Sequence, residues 1–299
     1  MKNAIKVLCF VIAFVLIGTA GTYFWFTFDK GEFEYVEGDE KGNVVITNYI
    51  GSEKDVNIPK HLRFKNVTAI DEDAFKESDI ESVKIGGNVT FIGQNAFRSC
   101  KKLKSVELAE GIKSIGEGAF MECTSLKSIK FPSTLKKIDI CPFTKSALIE
   151  IDMSENDYFT IENGVVYDKD KTVVYFSLES ADLSDYKLPE SVNMIKEAAF
   201  YNHKELTSIE IGSKVTKISN LAFFATGIKE VRIPPNVVSF GSMVFSESPL
   251  TRIYISEGTK TIEKAAFEGL EKQLTIVTPE NSKAAKYAQE NKLKVEFEK

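Results

Sequence analysis

The chain has 299 residues, 43% of them hydrophobic and 27% charged, with a formal net charge of −5. That composition excludes a disordered chain, and the length allows one large domain or two ordinary ones. Residues 1–28 carry Lys2 and Lys6 but no acid, so the remainder stands at −7; an acidic body argues against nucleic acid as a partner. Of the four cysteines, Cys9 lies in an apolar leader, and Cys100, Cys123 and Cys141 match neither a disulfide framework nor a zinc set. Only His61 and His203 are available as imidazole ligands, so neither a metal nor a small-molecule cofactor is expected.

From Val7 to Phe28 the chain runs 22 residues without a charge, enough for a helix to cross a bilayer core of about 30 Å. Lys2 and Lys6 precede the run and Asp29, Glu32 and Glu34 follow it. This asymmetry places the body outside the cytoplasm, membrane-anchored or secreted. Gly18-Thr19-Ala20 fits a cleaved signal peptide, whereas Tyr23-Phe24-Trp25-Phe26 fits the interface end of an uncleaved signal-anchor. Both readings stand. No small residues precede Cys9 as a lipoprotein cleavage box requires.

The body is repetitive. Phe75, Phe97, Phe120, Phe143, Phe200, Phe223, Phe245 and Phe267 each follow a small or apolar residue, at spacings of 22, 23, 23, 57, 23, 22 and 22. After each comes apolar-x-x-apolar-x-apolar, as in Leu103-Val106-Leu108 and Leu206-Ile209-Ile211. A third beat, apolar-x-x-Ile or its equivalent, closes most units, as in Ile112-Ile115 and Val215-Ile218. Units of this length cannot bury their own apolar groups, and stacking them turns equal positions into internal ladders.

One interval is long. Leu148 to Leu183 is 35 residues, a repeat plus 13. The extra segment holds Val165-Val166-Tyr167 and Val173-Val174-Tyr175-Phe176 around a polar turn, which predicts a hairpin projecting from the stack. The expected divisions are 1–28 leader, 29–66 N-terminal cap hairpin, 67–277 solenoid with an inserted hairpin around 155–180, and 278–299 cap helix and strand. Ala284, Ala285, Tyr287 and Ala288 are the residues that favour the final helix.

The cadence Ala-Phe-x-x-Cys/Ser-x-x-Leu-x-x-Ile-x-Ile/Pro, seen from Ala96-Phe97 through Cys100 and Leu103 to Leu108, resembles the BspA-like, or TpLRR, leucine-rich-repeat proteins. The resemblance runs from about Phe33 to Phe297 and departs from the pattern at Pro142. It implies a repeat solenoid: a leucine-rich-repeat right-handed coil with one parallel strand per repeat, an N-terminal β-hairpin cap and a C-terminal helix cap. It also implies a cell-surface role in adhesion-type binding of a protein or, failing that, a glycan; the alternatives are an envelope scaffold without external ligand and, last, an enzyme. The membrane is expected to be met through the apolar N-terminal segment itself.

No catalytic or metal-ligand set is apparent. Asp168, Asp170 and Thr172, with Glu179, imitate part of a calcium loop, but Val173 stands where glycine is required. Gly116-Glu117-Gly118 lacks the strand-to-helix setting of a phosphate loop and reads as a turn. Cys100, Cys123 and His203 share a repeat position with serines and a threonine, which reads as an inward ladder of small polar groups. Binding candidates are the outward residues of the main strands: an acidic middle of Glu150, Asp152, Glu210 and Glu230, then Arg232, Arg252 and Tyr254. Arg and Tyr are enriched where interfaces concentrate their energy. A second candidate is an apolar patch of Met121, Tyr201 and Phe224, just after the repeat Phe. The insert aromatics Tyr158, Phe159, Tyr167, Tyr175 and Phe176 form a third.

Overall fold

A computed structural model describes residues 31–298, so the expected leader helix falls outside the described residues. Each main apolar beat forms a short strand in which alternate residues face inward. In Ser82–Ile85, Val83 and Ile85 are buried while Lys84 is exposed. Parallel pairing sets equal repeat positions side by side: Val83 opposite Val106, Ile129 opposite Ile151, Tyr186 opposite Ile209 and Val231 opposite Ile253. The coils therefore stack into a solenoid, as the spacing predicts.

The expected single strand per repeat is joined by a second, made by the closing beat. These two-residue strands are Phe91–Ile92, Ser114–Ile115 and Lys137–Ile138, then Met194–Ile195, Lys217–Ile218, Ser239–Phe240 and Thr261–Ile262. Two residues are too few for a period-two pattern to show. The third side of each coil is the phenylalanine turn, tied to the next coil through its backbone. Phe97 N donates to Ala119 O at 2.8 Å and Phe120 N to Pro142 O at 2.8 Å. The ladder here uses the carbonyl of the residue before Phe. At Ala74, Ala96, Ala119 and Ala199 that residue's N–H closes only a long local bond, 3.3 Å from Ala119 N to Gly116 O, so Pro142 forfeits little in this part of the stack.

The turn bends sharply at two positions per coil, two residues before and two after the Phe. Around Phe245 these are Met243 at φ 52° and Glu247 at φ 58°, and around Phe223 Leu221 at φ 56° and Ala225 at φ 55°. Few of these positions carry glycine, although L side chains enter this region at a cost of roughly 1–2 kcal/mol. Gly269, at φ 83°, is the equivalent of Glu247 in the last phenylalanine turn.

Within the coils the rings run in two files. The first passes from Tyr49 to Phe75, Phe97, Phe120 and Phe143 with centroids 5.1, 4.8, 5.2 and 5.6 Å apart and planes within 21°. The second passes through Phe200, Phe223, Phe245 and Phe267 at 5.3, 5.1 and 6.3 Å.

Between the files stands the insert, and here the expectation of a projecting hairpin is corrected. It is a three-stranded antiparallel meander, Phe159–Glu162, Val165–Asp168 and Val173–Ser177, whose last strand pairs in parallel with Met194–Ile195. The first turn is Asn163-Gly164, both at positive φ (50° and 74°), the pair preferred in two-residue hairpin loops. The meander is buried, not projecting: Val166 packs in the N-terminal core, while Val165, Tyr167 and Val174 pack in the C-terminal one. Alternation along one strand therefore serves both cores, and the meander is a partition. Asn156, fully buried, fastens its start: Nδ2 donates to Pro132 O at 2.7 Å and Leu135 O at 3.0 Å, and Oδ1 accepts from the N–H of Tyr158 and Phe159, both at 2.9 Å.

Both ends are closed. Phe33–Glu37 and Asn43–Tyr49 form an antiparallel hairpin, followed by a smaller one, His61–Leu62 with Lys65–Ile70. At the other end a helix, Lys283–Glu290, is capped by Ser282, whose hydroxyl accepts from Ala285 N at 2.9 Å. It buries Ala284, Ala285, Tyr287 and Ala288, and a last strand, Lys294–Phe297, pairs with Thr275–Thr278. Residues 31–298 thus hold both cores and both terminal elements.

Phe120 is fully buried between two stacked rings, so Phe120→Ala is expected to cost about 3–5 kcal/mol. Urea unfolding measures it, and an unchanged midpoint would contradict the ladder. Glu247 is exposed and left-handed, so Glu247→Gly should raise stability by up to about 1 kcal/mol, the relief of strain exceeding the entropy lost by glycine.

Candidate interaction surfaces

The outward residues of the main strands lie where alternation puts them. Pairing of Glu230–Ile233 with Arg252–Ile255 sets Glu230 opposite Arg252 and Arg232 opposite Tyr254. The Arg232 guanidinium lies 3.7 Å from the centroid of the Tyr254 ring, and that of Arg252 lies 5.4 Å away. Arg252 also donates through Nε to the Tyr254 hydroxyl at 2.9 Å, through Nη1 to Glu296 Oε1 at 3.0 Å, and through Nη2 to Glu296 Oε2. Glu296, absent from the sequence candidates, comes from the last strand, where Val277 faces it. Its carboxylate and the Tyr254 hydroxyl raise the Arg252 pKa, and Arg252 in turn lowers that of Glu296. Alternation in Lys294-Val295-Glu296-Phe297 is the available sequence signal.

The acidic middle is divided among separate sheets. Glu150–Asp152 pairs with Ser128–Lys130, whereas Glu210 belongs to a separate sheet with Asp185–Lys187. The acids also have cations beside them: Lys130 Nζ lies 3.9 Å from Asp152 and 3.0 Å from Glu155, and Lys187 Nζ lies 2.8 Å from Glu210. The same cross-coil pairing continues upstream as Lys84 with Glu107, and as Glu81 between Lys54 and Lys104. Hydrogen bonds from those two lysines, Lys104 first, pull the Glu81 carboxyl down to about 2.

Of the apolar candidates, Tyr201 and Phe224 are brought together, their half-buried rings stacked at 5.0 Å and 6°. Met121 is not with them, since Thr144 and the insert intervene. The insert aromatics are mostly core: Phe159, Tyr167 and Phe176 are buried, and Tyr158 alone is exposed, with Lys136 Nζ 4.8 Å from its ring. The Tyr167 and Tyr186 hydroxyls hydrogen-bond to each other in the interior. Exposed Phe64, which the repeat pattern does not reach, sits at the tip of the second hairpin at φ 68°.

The polar ladder is internal. Cys100 Sγ donates to Phe75 O at 3.0 Å, Cys123 Sγ to Phe97 O at 3.2 Å, and Thr226 Oγ1 to Phe223 O at 3.0 Å. Burial raises the pKa of both thiols, and neither is in a disulfide. His203 Nε2 lies 3.1 Å from Ala181 O and Nδ1 lies 3.1 Å from Ser177 Oγ. A carbonyl can only accept, so Nε2 carries the proton and Nδ1 accepts from Ser177. Asp168 spends its carboxylate on its own turn, with Oδ1 accepting from Thr172 N at 2.6 Å and Val173 N at 2.7 Å, and Oδ2 from Thr172 Oγ1 at 2.6 Å. It is a turn brace. Among the described residues no cluster of three metal-binding side chains occurs, and no helix is long and apolar enough to cross a membrane.

Stacked parallel coils with leucine-type cadence define a leucine-rich-repeat solenoid, typically a non-catalytic architecture. The chain belongs to the BspA type leucine-rich-repeat family, whose pattern matches six copies over residues 68–178 and 171–295. Among solved structures it is similar to the pneumococcal vaccine antigen PcpA, at 17% identity over 86% of this chain and 79% of that one, with a TM-score of 0.56. A leucine-rich repeat protein from Bacteroides capillosus is 31% identical over 42% of this chain and 95% of its own, with a TM-score of 0.39. The T. pallidum leucine-rich repeat protein is 20% identical over 90% of this chain and 97% of its own, with a TM-score of 0.42. No curated protein matches the chain.

Burial pushes the His203 pKa below its ordinary 6.5, so the unfolded chain binds its proton first as pH falls. The stability that depends on neutral His203 is complete above 6.5 and is lost as pH drops through and below that value. Urea midpoints at pH 7.5 and 5.5 should therefore differ, and the difference should shrink in His203→Gln. A slope unchanged by the substitution would place the titration elsewhere.

Proposed function

We propose that this chain is a surface-displayed binding module that engages a protein partner at the cell envelope through the C-terminal end of its main-strand face. The observation that supports this reading is the Arg232–Tyr254–Arg252–Glu296 cluster. One guanidinium lies against the Tyr254 ring, and the other is clamped by a carboxylate and the phenol hydroxyl. Such side chains lose little freedom when a partner arrives, because their rotamers are already held. Arg232 is the exposed member and bears the contact, while Arg252 and Glu296 position Tyr254 and complete the surface. Glu230, beside Arg252, and Glu210, Glu150 and Asp152 contribute outward charge along the same side.

The charge asymmetry around Val7–Phe28 supports display outside the cytoplasm. The family's solenoid and the fold shared with a pneumococcal vaccine antigen agree with such a location. The core-building residues carry no ligand information, so the partner is sought with residues 29–299 as bait against extracellular matrix and envelope proteins. A saturable partner should be lost, by about tenfold or more, in Arg232→Glu, with thermal unfolding unchanged. Binding that is indifferent to Arg232→Glu would move the site off this face, and the absence of any saturable protein partner would defeat the reading.

A further inference from the structure

The two-residue strands fall in two sheets, one ending at Lys137–Ile138 and one continuing from the meander, and they form a different surface from the one above. Their outward residues occupy two rows. One is the residue before the buried apolar position, in register from Ala69 through Phe91 and Ser114 to Lys137 in the first sheet, and from Val173 through Met194, Lys217 and Ser239 to Thr261 in the second. The other is the residue before that one, joined coil to coil within each sheet by backbone bonds such as Lys136 N to Lys113 O at 2.9 Å and Lys260 N to Val238 O at 2.9 Å. Neither row holds an Asp or Glu from Thr68 to Thr261, yet together they hold Lys113, Lys136, Lys137, Lys217 and Lys260, all exposed. The remaining positions are threonine, serine, asparagine and a few apolar residues.

This is a local cation excess on a chain of net charge −5. On the main-strand face some lysines pair across coils with carboxylates, as Lys84 does with Glu107 and Lys187 with Glu210, while exposed Lys127 and Lys229 form no ion pair. Here Lys137 alone has a carboxylate, Asp139 at 3.0 Å. Lys113 and Lys136 stand in the same ladder row one coil apart, a backbone separation of about 4.8 Å, with no acid between them to offset their repulsion. Like charges directly opposite destabilise a sheet.

Acids reach the margin of this face at Asp71, Asp139 and Glu263, the residues after the buried apolar position, and at Glu34 and Glu37 on the first strand. The cation excess is therefore confined to the two rows and is not a field over the whole face. A flat bilayer would meet the marginal acids along with the lysines, whereas a linear polymer can lie on the rows alone. Hydroxyl and amide side chains interleaved with the lysines suit a ligand that carries both hydroxyls and charge.

We propose that this sheet face binds an anionic glycan chain laid along the solenoid, its acidic groups on Lys113, Lys136, Lys217 and Lys260 and its hydroxyls on the intervening polar side chains. The proposal rests on the surface-display reading only for where such a polymer is encountered; the face and ligand class are independent of the Arg232 cluster.

The test uses residues 29–299, which contain both cores and both caps, in calorimetric titrations against polygalacturonate, dextran sulfate and neutral dextran of similar length. A 20-base single strand of DNA and phosphatidylglycerol vesicles are run in parallel. Saturable binding of at least one anionic glycan is expected, with neutral dextran silent. Carboxylate or sulfate preference separates the two sources of charge. Combined charge reversal of Lys113, Lys136, Lys217 and Lys260 to Glu should weaken binding at least about tenfold, whereas Arg232→Glu should leave it unchanged. Should the reversed variant misfold by circular dichroism, the same four positions changed to Gln give the readout. The proposal is overturned if no anionic glycan binds, if the lysine variants bind as well as the parent, or if DNA or vesicles bind as tightly as the best glycan. Loss of glycan binding with protein-partner capture intact would overturn this face and leave the main-strand reading standing.

Discussion

A coil of 22 or 23 residues has three sides and an interior too narrow to be closed by its own side chains, so the only partner for its apolar groups is the next coil. That single constraint explains why Phe97 must meet Phe120, with ring planes within 1° and centroids 5.2 Å apart, and why equal repeat positions face one another in every sheet. It also explains the tolerance of left-handed backbone at residues such as Leu221 and Met243. A turn tight enough to bring each ring over the last is bent twice, and the burial of a phenylalanine, roughly 1.5–3 kcal/mol, offsets the strain of bending. The ends obey the same demand. Tyr49 closes one file against Phe75, and Tyr287 meets Phe267 edge-on beneath the cap helix at the other.

The partition shows what happens when the repeat is interrupted without opening the core. A meander crosses the stack and uses the two faces of one strand, Val166 on one side and Val165 with Tyr167 on the other, to finish both cores. Crossing would expose polar backbone, and Asn156 answers by making four hydrogen bonds that join the preceding coil to the start of the first meander strand. The Tyr167–Tyr186 hydroxyl pair supplies the corresponding polar contact on the far side.

Much of this is legible in the residues. Phenylalanine spacing alone locates the coils and the interruption, because burial depends on periodic position and periodicity survives in a linear string. What escapes are contacts set by three dimensions. Two-residue strands carry too little pattern to be seen. The polar turn after Val165-Val166-Tyr167 suggests a projecting hairpin, although the Asn163-Gly164 pair signals a further strand. The binding candidates are legible as directions, not as neighbours. Arg232, Arg252 and Tyr254 fall together as alternation requires, but their partner Glu296 is 44 residues from Arg252. Met121 shares a repeat position with Tyr201 and Phe224 yet is separated from them by the insert, because equal phase in a repeat becomes adjacency only between consecutive coils.

In a solenoid the residues that make the family recognisable are the ones that face inward, so they cannot distinguish one ligand from another. Information about partners must reside in outward positions, which the fold leaves free to vary in charge and shape. The two outward faces of this chain use that freedom differently. Along the main strands several charges are answered by a neighbour one coil away, as Lys84 is by Glu107 and Lys187 by Glu210, ending in a guanidinium and a ring held in contact. Along the two-residue strands Lys137 meets Asp139 and Lys136 the Tyr158 ring, whereas Lys113, Lys217 and Lys260 form no ion pair. Neither arrangement improves packing, because none of those side chains enters the core. The difference between the two faces is therefore a property of the surface itself and not of the core.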